Sequence, residues 1–174
     1  MIITTQRLGI RRVMAEDWPD FKEIWVLQSQ SEYAQYDKPV DTADAAVQSR
    51  ITRWAMCAES TEHMFFAVCL QEKVIGFFAF NTRESGYEIG YCFNSGYHGM
   101  GYARESLSAL LDHIYGALHV SHFLAGTALC NTPSVSLLRS VGFQQTGSEA
   151  VSFYRDGSGR DVFFEGGIFE LQLR

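Results

Sequence analysis

The chain has 174 residues, 47% hydrophobic and 20% charged, a size at which one domain buries about 70% of the surface its unfolded form exposes. Its formal net charge of −6 excludes a non-specific nucleic-acid binder, which needs a basic surface, and tilts towards cationic partners such as amines. No apolar run approaches the roughly 20 residues of a membrane-spanning helix, and the start has no apolar segment long enough for a signal peptide. Cys57, Cys69, Cys92 and Cys130 are widely spaced with no Cys-x-x-Cys pair, which argues against a zinc knuckle or a dense disulfide framework. The expectation is a cytoplasmic chain, monomer or homodimer, with no membrane or nucleic-acid partner.

In chain order, "RLGIRRV" reads as a short strand, followed by a helix with Trp18, Phe21, Ile24 and Trp25 at helical spacing. A polar loop, "SEYAQYDKPVD", carries Tyr33 and Tyr36. A second helix is expected from Asp41 or Thr42, both good caps, with Val47, Ile51, Trp54, Ala55 and Ala58 on one side. "HMFFAVCL" and "KVIGFFAFNT" read as antiparallel strands around a turn at Gln71 and Glu72. "GYEIGYCF" alternates, with Tyr87, Ile89, Tyr91 and Phe93 on one face and Glu88, Gly90 and Cys92 on the other. Then come a glycine loop, a helix striped by Leu107, Leu110, Leu111, Ile114 and Leu118, and a strand at "SHFLAGTAL". A short helix from Asn131 to Val141 stops at Gly142, and two strands flank the "RDGSGR" turn. The result is one domain, 1–174, with no linker or repeat: a mixed α/β sheet, antiparallel in front, with a strand–helix–strand crossover at the glycine loop.

That loop, "YHGMGYA", opens a helix. Bare backbone N–H groups at a helix start, with glycines that permit close approach, make an anion site or a plain connecting turn. A phosphate-binding loop of the Gly-Lys-Ser/Thr kind is excluded because Tyr102 and Ala103 follow the last glycine. A dinucleotide fingerprint fails at Arg104, where its third glycine belongs, and on the absence of an acidic residue between Asp112 and Glu149.

Here the residues resemble a family. His98-Gly99-Met100-Gly101-Tyr102-Ala103 is similar to the Arg/Gln-x-x-Gly-x-Gly/Ala loop of the GNAT superfamily of N-acetyltransferases, with His98 as the one departure. Asn131-Thr132-Pro133-Ser134, then Leu138 and Gly142-Phe143, looks like that family's next motif. "TQRLGIRRVMAEDW" and "YEIGYCF" resemble its ribosomal-protein N-terminal acetyltransferase (RimJ/RimL-type) branch. The resemblance implies a mostly antiparallel seven-stranded sheet splayed between strands four and five, with about four helices. It also implies acetyl-CoA as cosubstrate, no metal, and transfer to an amine in a ternary complex. The amine is that of a protein N-terminus or a small molecule. A GNAT-like domain that binds acyl-CoA as a sensor or scaffold without catalysis is the other reading.

Glu88 is the candidate general base. It stands on a strand face between small neighbours and is otherwise a solvated carboxylate; the resemblance favours the base. An amine must be neutral before it attacks a thioester. An α-amine, with pKa near 7.7–8.0, is partly so at pH 7, whereas a lysine amine must yield roughly 3.4 units, or about 4.6 kcal/mol. The family's usual acid for the departing thiolate is a tyrosine seven residues past the asparagine, and here that position is Leu138. Ser134 replaces it by resemblance, or else simply caps its helix; Cys130 is a third candidate. The resemblance assigns coenzyme binding to Tyr91, Cys92, Phe93, His98, Gly99, Met100, Gly101, Tyr102, Ala103, Asn131 and Ser134, and places an oxyanion-binding amide near Tyr91. Arg104 and Arg139 are candidates for the outer phosphates. Tyr33 and Tyr36 are the candidate acceptor-binding residues. His119 and His122, three apart, have no supporting ligand in sequence for a metal.

Overall fold

A computed structural model describes residues 2–174. The chain order is β1 (Ile2–Thr4), β2 (Gly9–Arg12), α1 (Trp18–Ser29), α2 (Asp44–Ala55), β3 (His63–Leu70), β4 (Lys73–Arg83) and β5 (Gly86–Phe93). It continues with α3 (Tyr102–Leu118), β6 (His122–Ala128), α4 (Thr132–Ser140), β7 (Gln144–Arg155) and β8 (Asp161–Gln172). One sheet runs β1-β2-β3-β4-β5-β6-β8-β7, and every neighbouring pair is antiparallel except β5–β6. The sheet therefore has eight strands where seven were expected. The addition, Ile2–Thr4, is too short to show a period and exists by pairing with Gly9–Arg11.

β3 and β4 are central and read as nearly unbroken apolar runs because both faces are covered; Val74 to Phe80 are all buried. One face carries α1 and α2 over an aromatic cluster in which Trp54 stacks on Phe65 at 4.4 Å and Phe21 packs on Phe77 at 5.1 Å. The other face buries the α3 stripe and Leu138 of α4 against Phe66, Phe78, Phe80 and Phe123. The N-cap of the second helix is Ala43 rather than Asp41 or Thr42, and the helix ends at Ala55, so Ala58 lies beyond it. Asp41 spends its carboxylate on the amide of Ala43, two residues too early to cap.

Two features of this frame shape the cleft. β5 and β6 are registered only from Tyr87↔Phe123 to Ile89↔Ala125, after which they part. β8 pairs with β6 only through Gly166–Gln172, so Asp161–Glu165 and their β7 partners project as a two-stranded arm.

Candidate active site

Where β5 and β6 diverge, two strand edges face each other unpaired: Gly90–Phe93 on one side and Gly126–Ala128 on the other. Unpaired strand edges present free N–H and C=O groups, so this wedge suits an extended chain carrying amides of its own. The glycine loop lies past the end of β5. Asn94, itself buried, turns the chain by accepting the Gly96 amide at 2.9 Å and donating to Glu23 at 2.8 Å.

Gly99 and Gly101 occupy the left-handed region, at φ +75° and +78°, and Gly101 is the N-cap of α3. The amides of Gly99 through Arg104 have no acceptor among the described residues, and a Cβ added at Gly99 would meet nothing within 4 Å. Six free donors at the positive end of a 17-residue helix, with open space before them, fit a diphosphate. His98 closes the short turn Ser95–Tyr97. Its amide donates to Ser95 and its ring Nε2 lies 3.0 Å from the Phe93 carbonyl, so it serves the turn. Tyr102 and Ala103 are half-buried in the first turn of α3, and Met100 is exposed.

The two faces of β5 separate the remaining residues. Glu88 projects to the α1–α2 side and is ion-paired with Arg83, both groups remaining solvent-accessible. Beside it Gly90 is open: an added Cβ would meet nothing within 4 Å. Cys92, two residues on, has its thiol 3.8 Å from the Gln28 side chain, and the Gln28 amide in turn holds the Asp37 carboxylate. Burial raises the Asp37 carboxyl above its ordinary value and pushes the Cys92 thiol up to about 12.

On the opposite face, the Tyr91 and Ser134 hydroxyls are 2.7 Å apart, tying β5 to α4 across the wedge. Burial pushes the Tyr91 phenol up to about 12, against the lowering effect of the Ser134 hydrogen bond. Asn131 caps α4 by accepting the Ser134 amide at 3.2 Å, which aims the start of that helix at the same opening. Leu138 is fully buried, so the position without a tyrosine is a packing position here. Cys130 is exposed just before Asn131, and its thiol lies against the Tyr36 phenol, raising it.

Tyr36 also packs edge-on to Phe164 of the arm at 5.3 Å, and Tyr154 donates to the Ala34 carbonyl at 3.2 Å. The Tyr33–Tyr36 loop thus crosses from α1 to the C-terminal hairpin and roofs the open side of the wedge. Tyr33 is half-buried, and its carbonyl accepts the Tyr36 amide. Arg104 and Arg139 are exposed and make no ion pair among the described residues. His119 ends α3 at φ +55°, while His122 pairs with Glu170 and Ser85, so the two histidines serve separate structural ends. Among the described residues no three His, Cys, Asp or Glu side chains converge as a metal group.

Sequence reasoning missed Arg83, Gln28, Asp37 and Arg7. Only Asp37 left a trace, an acid directly beside a loop tyrosine.

Residues 7–144 match the acetyltransferase (GNAT) domain. The chain is 27% identical over 146 residues to the uncharacterized N-acetyltransferase p20 of Bacillus licheniformis, covering 82% of each. It is 29% identical over 152 residues to the uncharacterized N-acetyltransferase YnaD of Bacillus subtilis strain 168, covering 84% of this chain and 85% of the relative. Among solved structures it superposes with TM-score 0.86 and 18% identity on RimL, a ribosomal L7/L12 α-N-protein acetyltransferase in complex with coenzyme A. That match covers 99% of this chain and 98% of the other.

Proposed function

The chain belongs to the acetyltransferase (GNAT) family, and from that premise we propose that this N-acetyltransferase uses acetyl-CoA to acetylate the α-amine of a protein N-terminus by direct attack in a ternary complex. The whole chain, 1–174, is read as one such domain, since β7 and β8 complete the sheet that the matched residues begin. The observation that carries the reading is the wedge itself. Two unpaired strand edges run towards six free amides at a helix start, the shape and charge required by a pantetheine arm ending in a diphosphate.

Acetyl-CoA supplies an activated acetyl group as a thioester; the rest is the work of side chains. Gly99–Arg104 amides hold the diphosphate, Tyr91–Phe93 backbone pairs with the arm, and a main-chain N–H near Tyr91 receives the negative charge that grows on the carbonyl oxygen. The acceptor enters over Gly90 under the Tyr33–Tyr36 roof, and its nitrogen gives its proton to Glu88, directly or through one water. Ser134 gives a proton to the departing sulfur and recovers one from solvent once the thiol has left. A Tyr91 phenol pushed up to about 12 stays a donor at neutral pH, so it can fill one lone pair of Ser134 and leave that hydroxyl's own proton for the sulfur.

Two features support an α-amine over a lysine. An α-amine needs little help to become neutral, whereas lysine requires roughly 4.6 kcal/mol from a base that here is solvent-accessible and already paired with Arg83. The approach over Gly90 is open, which suits a chain end protruding from a larger partner. Four free cysteines accord with a reducing, cytoplasmic setting.

The test is thiol release from acetyl-CoA across peptides with free N-termini, the same peptides blocked at the N-terminus but bearing lysine, and small amines. Release with free N-termini supports the proposal. Release only with lysine or small amines removes its acceptor. Coenzyme binding with no amine-stimulated release would make the domain a sensor.

A further inference from the structure

The peptide joining Met100 to Gly101 runs into a left-handed glycine, and a second one, Gly99, precedes Met100 with an empty space beside it. Glycine-flanked peptides turn over readily, and an overturned one would aim a carbonyl rather than an N–H at an anion. Something must hold it. The Arg7 guanidinium donates from Nη1 to the Met100 carbonyl at 2.8 Å. In a trans peptide the C=O and the following N–H point in opposite directions, so fixing that carbonyl on Arg7 turns the Gly101 amide outward, away from Arg7.

Arg7 is itself fixed from three sides. Its Nε and Nη2 reach Glu105 Oε2, each at 2.7 Å. Its own amide donates to Glu105 Oε1 at 3.0 Å, and its guanidinium lies 4.6 Å from the centre of the Tyr102 ring. Thr5 adds a hydroxyl donor to the same Glu105 oxygen at 2.5 Å. Arg7 and these hydrogen bonds hold Glu105 below its ordinary carboxylate value against its own desolvation. A carboxylate in the first turn of this helix would oppose an incoming diphosphate; here a guanidinium covers it.

We propose that Arg7 is a positioning residue of the coenzyme loop: it pins the Met100–Gly101 peptide with its N–H turned towards the diphosphate. The inference rests on reading Gly99–Arg104 as that loop.

The test measures coenzyme A affinity by calorimetry in wild type, Arg7→Gln and Glu105→Gln, with melting temperatures for each. It also measures turnover of S-acetylpantetheine, which lacks the diphosphate. Arg7→Gln is expected to weaken coenzyme A binding about tenfold or more while kcat/KM for S-acetylpantetheine stays within about twofold. Glu105→Gln keeps an acceptor oxygen for Arg7 and the Met100 tie, so its affinity is expected within about threefold of wild type. In amide spectra, coenzyme A should shift the Gly101 resonance in wild type and not in Arg7→Gln. Unchanged affinity in Arg7→Gln overturns the inference alone. So does equal loss with both acetyl donors, which marks general damage, or an equal loss in Glu105→Gln, which assigns the effect to the salt bridge. No coenzyme A binding by wild type overturns the loop reading and this inference with it.

Discussion

The hydroxyl of Tyr91, on a strand, and that of Ser134, in the first turn of a helix 43 residues later, meet at 2.7 Å across the wedge. In the proposed reaction the two act as one unit on the departing sulfur. Ser134→Ala should lower kcat about tenfold to a hundredfold at unchanged affinity for coenzyme A. Tyr91→Phe should lower it less, and the double variant no more than Ser134→Ala, because the second change removes support for a group already gone. Steady-state kinetics on the three variants checks this; additive losses would separate the two hydroxyls.

Glu88→Gln is expected to reduce kcat/KM for the acceptor most at the acid end of the pH profile, where the largest fraction of amine carries its extra proton. A profile superimposable on wild type would take Glu88 out of the reaction.

Gly99→Ala places a side chain at φ +75° in open space, so the cost is backbone strain without a clash: about 1 kcal/mol of stability. The KM for acetyl-CoA should rise several-fold while that for the acceptor holds. Chemical denaturation together with kinetics in each substrate tests both halves.

Alkaline stability should carry the mark of the wedge. Tyr91, pushed up to about 12 by burial, keeps its proton in the folded state after an unfolded tyrosine, near 10, has lost it. Its contribution is therefore whole below pH 10 and is lost as pH rises from there to about 12, on the order of 2 kcal/mol in all. Cys92, also about 12, adds a decline of the same sign that begins near pH 8.5. Urea denaturation from pH 8 to 11 should show falling stability, with a shallower slope above pH 10 in Tyr91→Phe. An identical slope there would mean the phenol is not buried in solution.

Much of the fold was legible because its cues are local. The two-residue period of Gly86–Phe93 gave both faces of β5, and the Leu107–Ile114 stripe gave the buried side of α3. Gly99 and Gly101 were readable as unusual backbone. The three-residue β1 was not, since a strand that short has no period and exists by pairing alone. The helix start misplaced at Asp41 and Thr42 shows the limit of cap propensity: a good capping side chain had a nearer amide to satisfy.

The sequence by itself determined local features: bare amides at a helix mouth, a carboxylate beside small residues on one strand face, and a capping asparagine at the start of a short helix. These follow from residue type and short-range order. Only the tertiary structure decided which of them meet. Arg7 and Glu105 are 98 positions apart, Tyr91 and Ser134 are 43 apart, and the wedge exists because one parallel pairing ends at Ile89 and Ala125. The physical reason is that such contacts depend on strand register and helix placement set by the packing of the whole core, and that packing leaves no local mark on the residues it brings together.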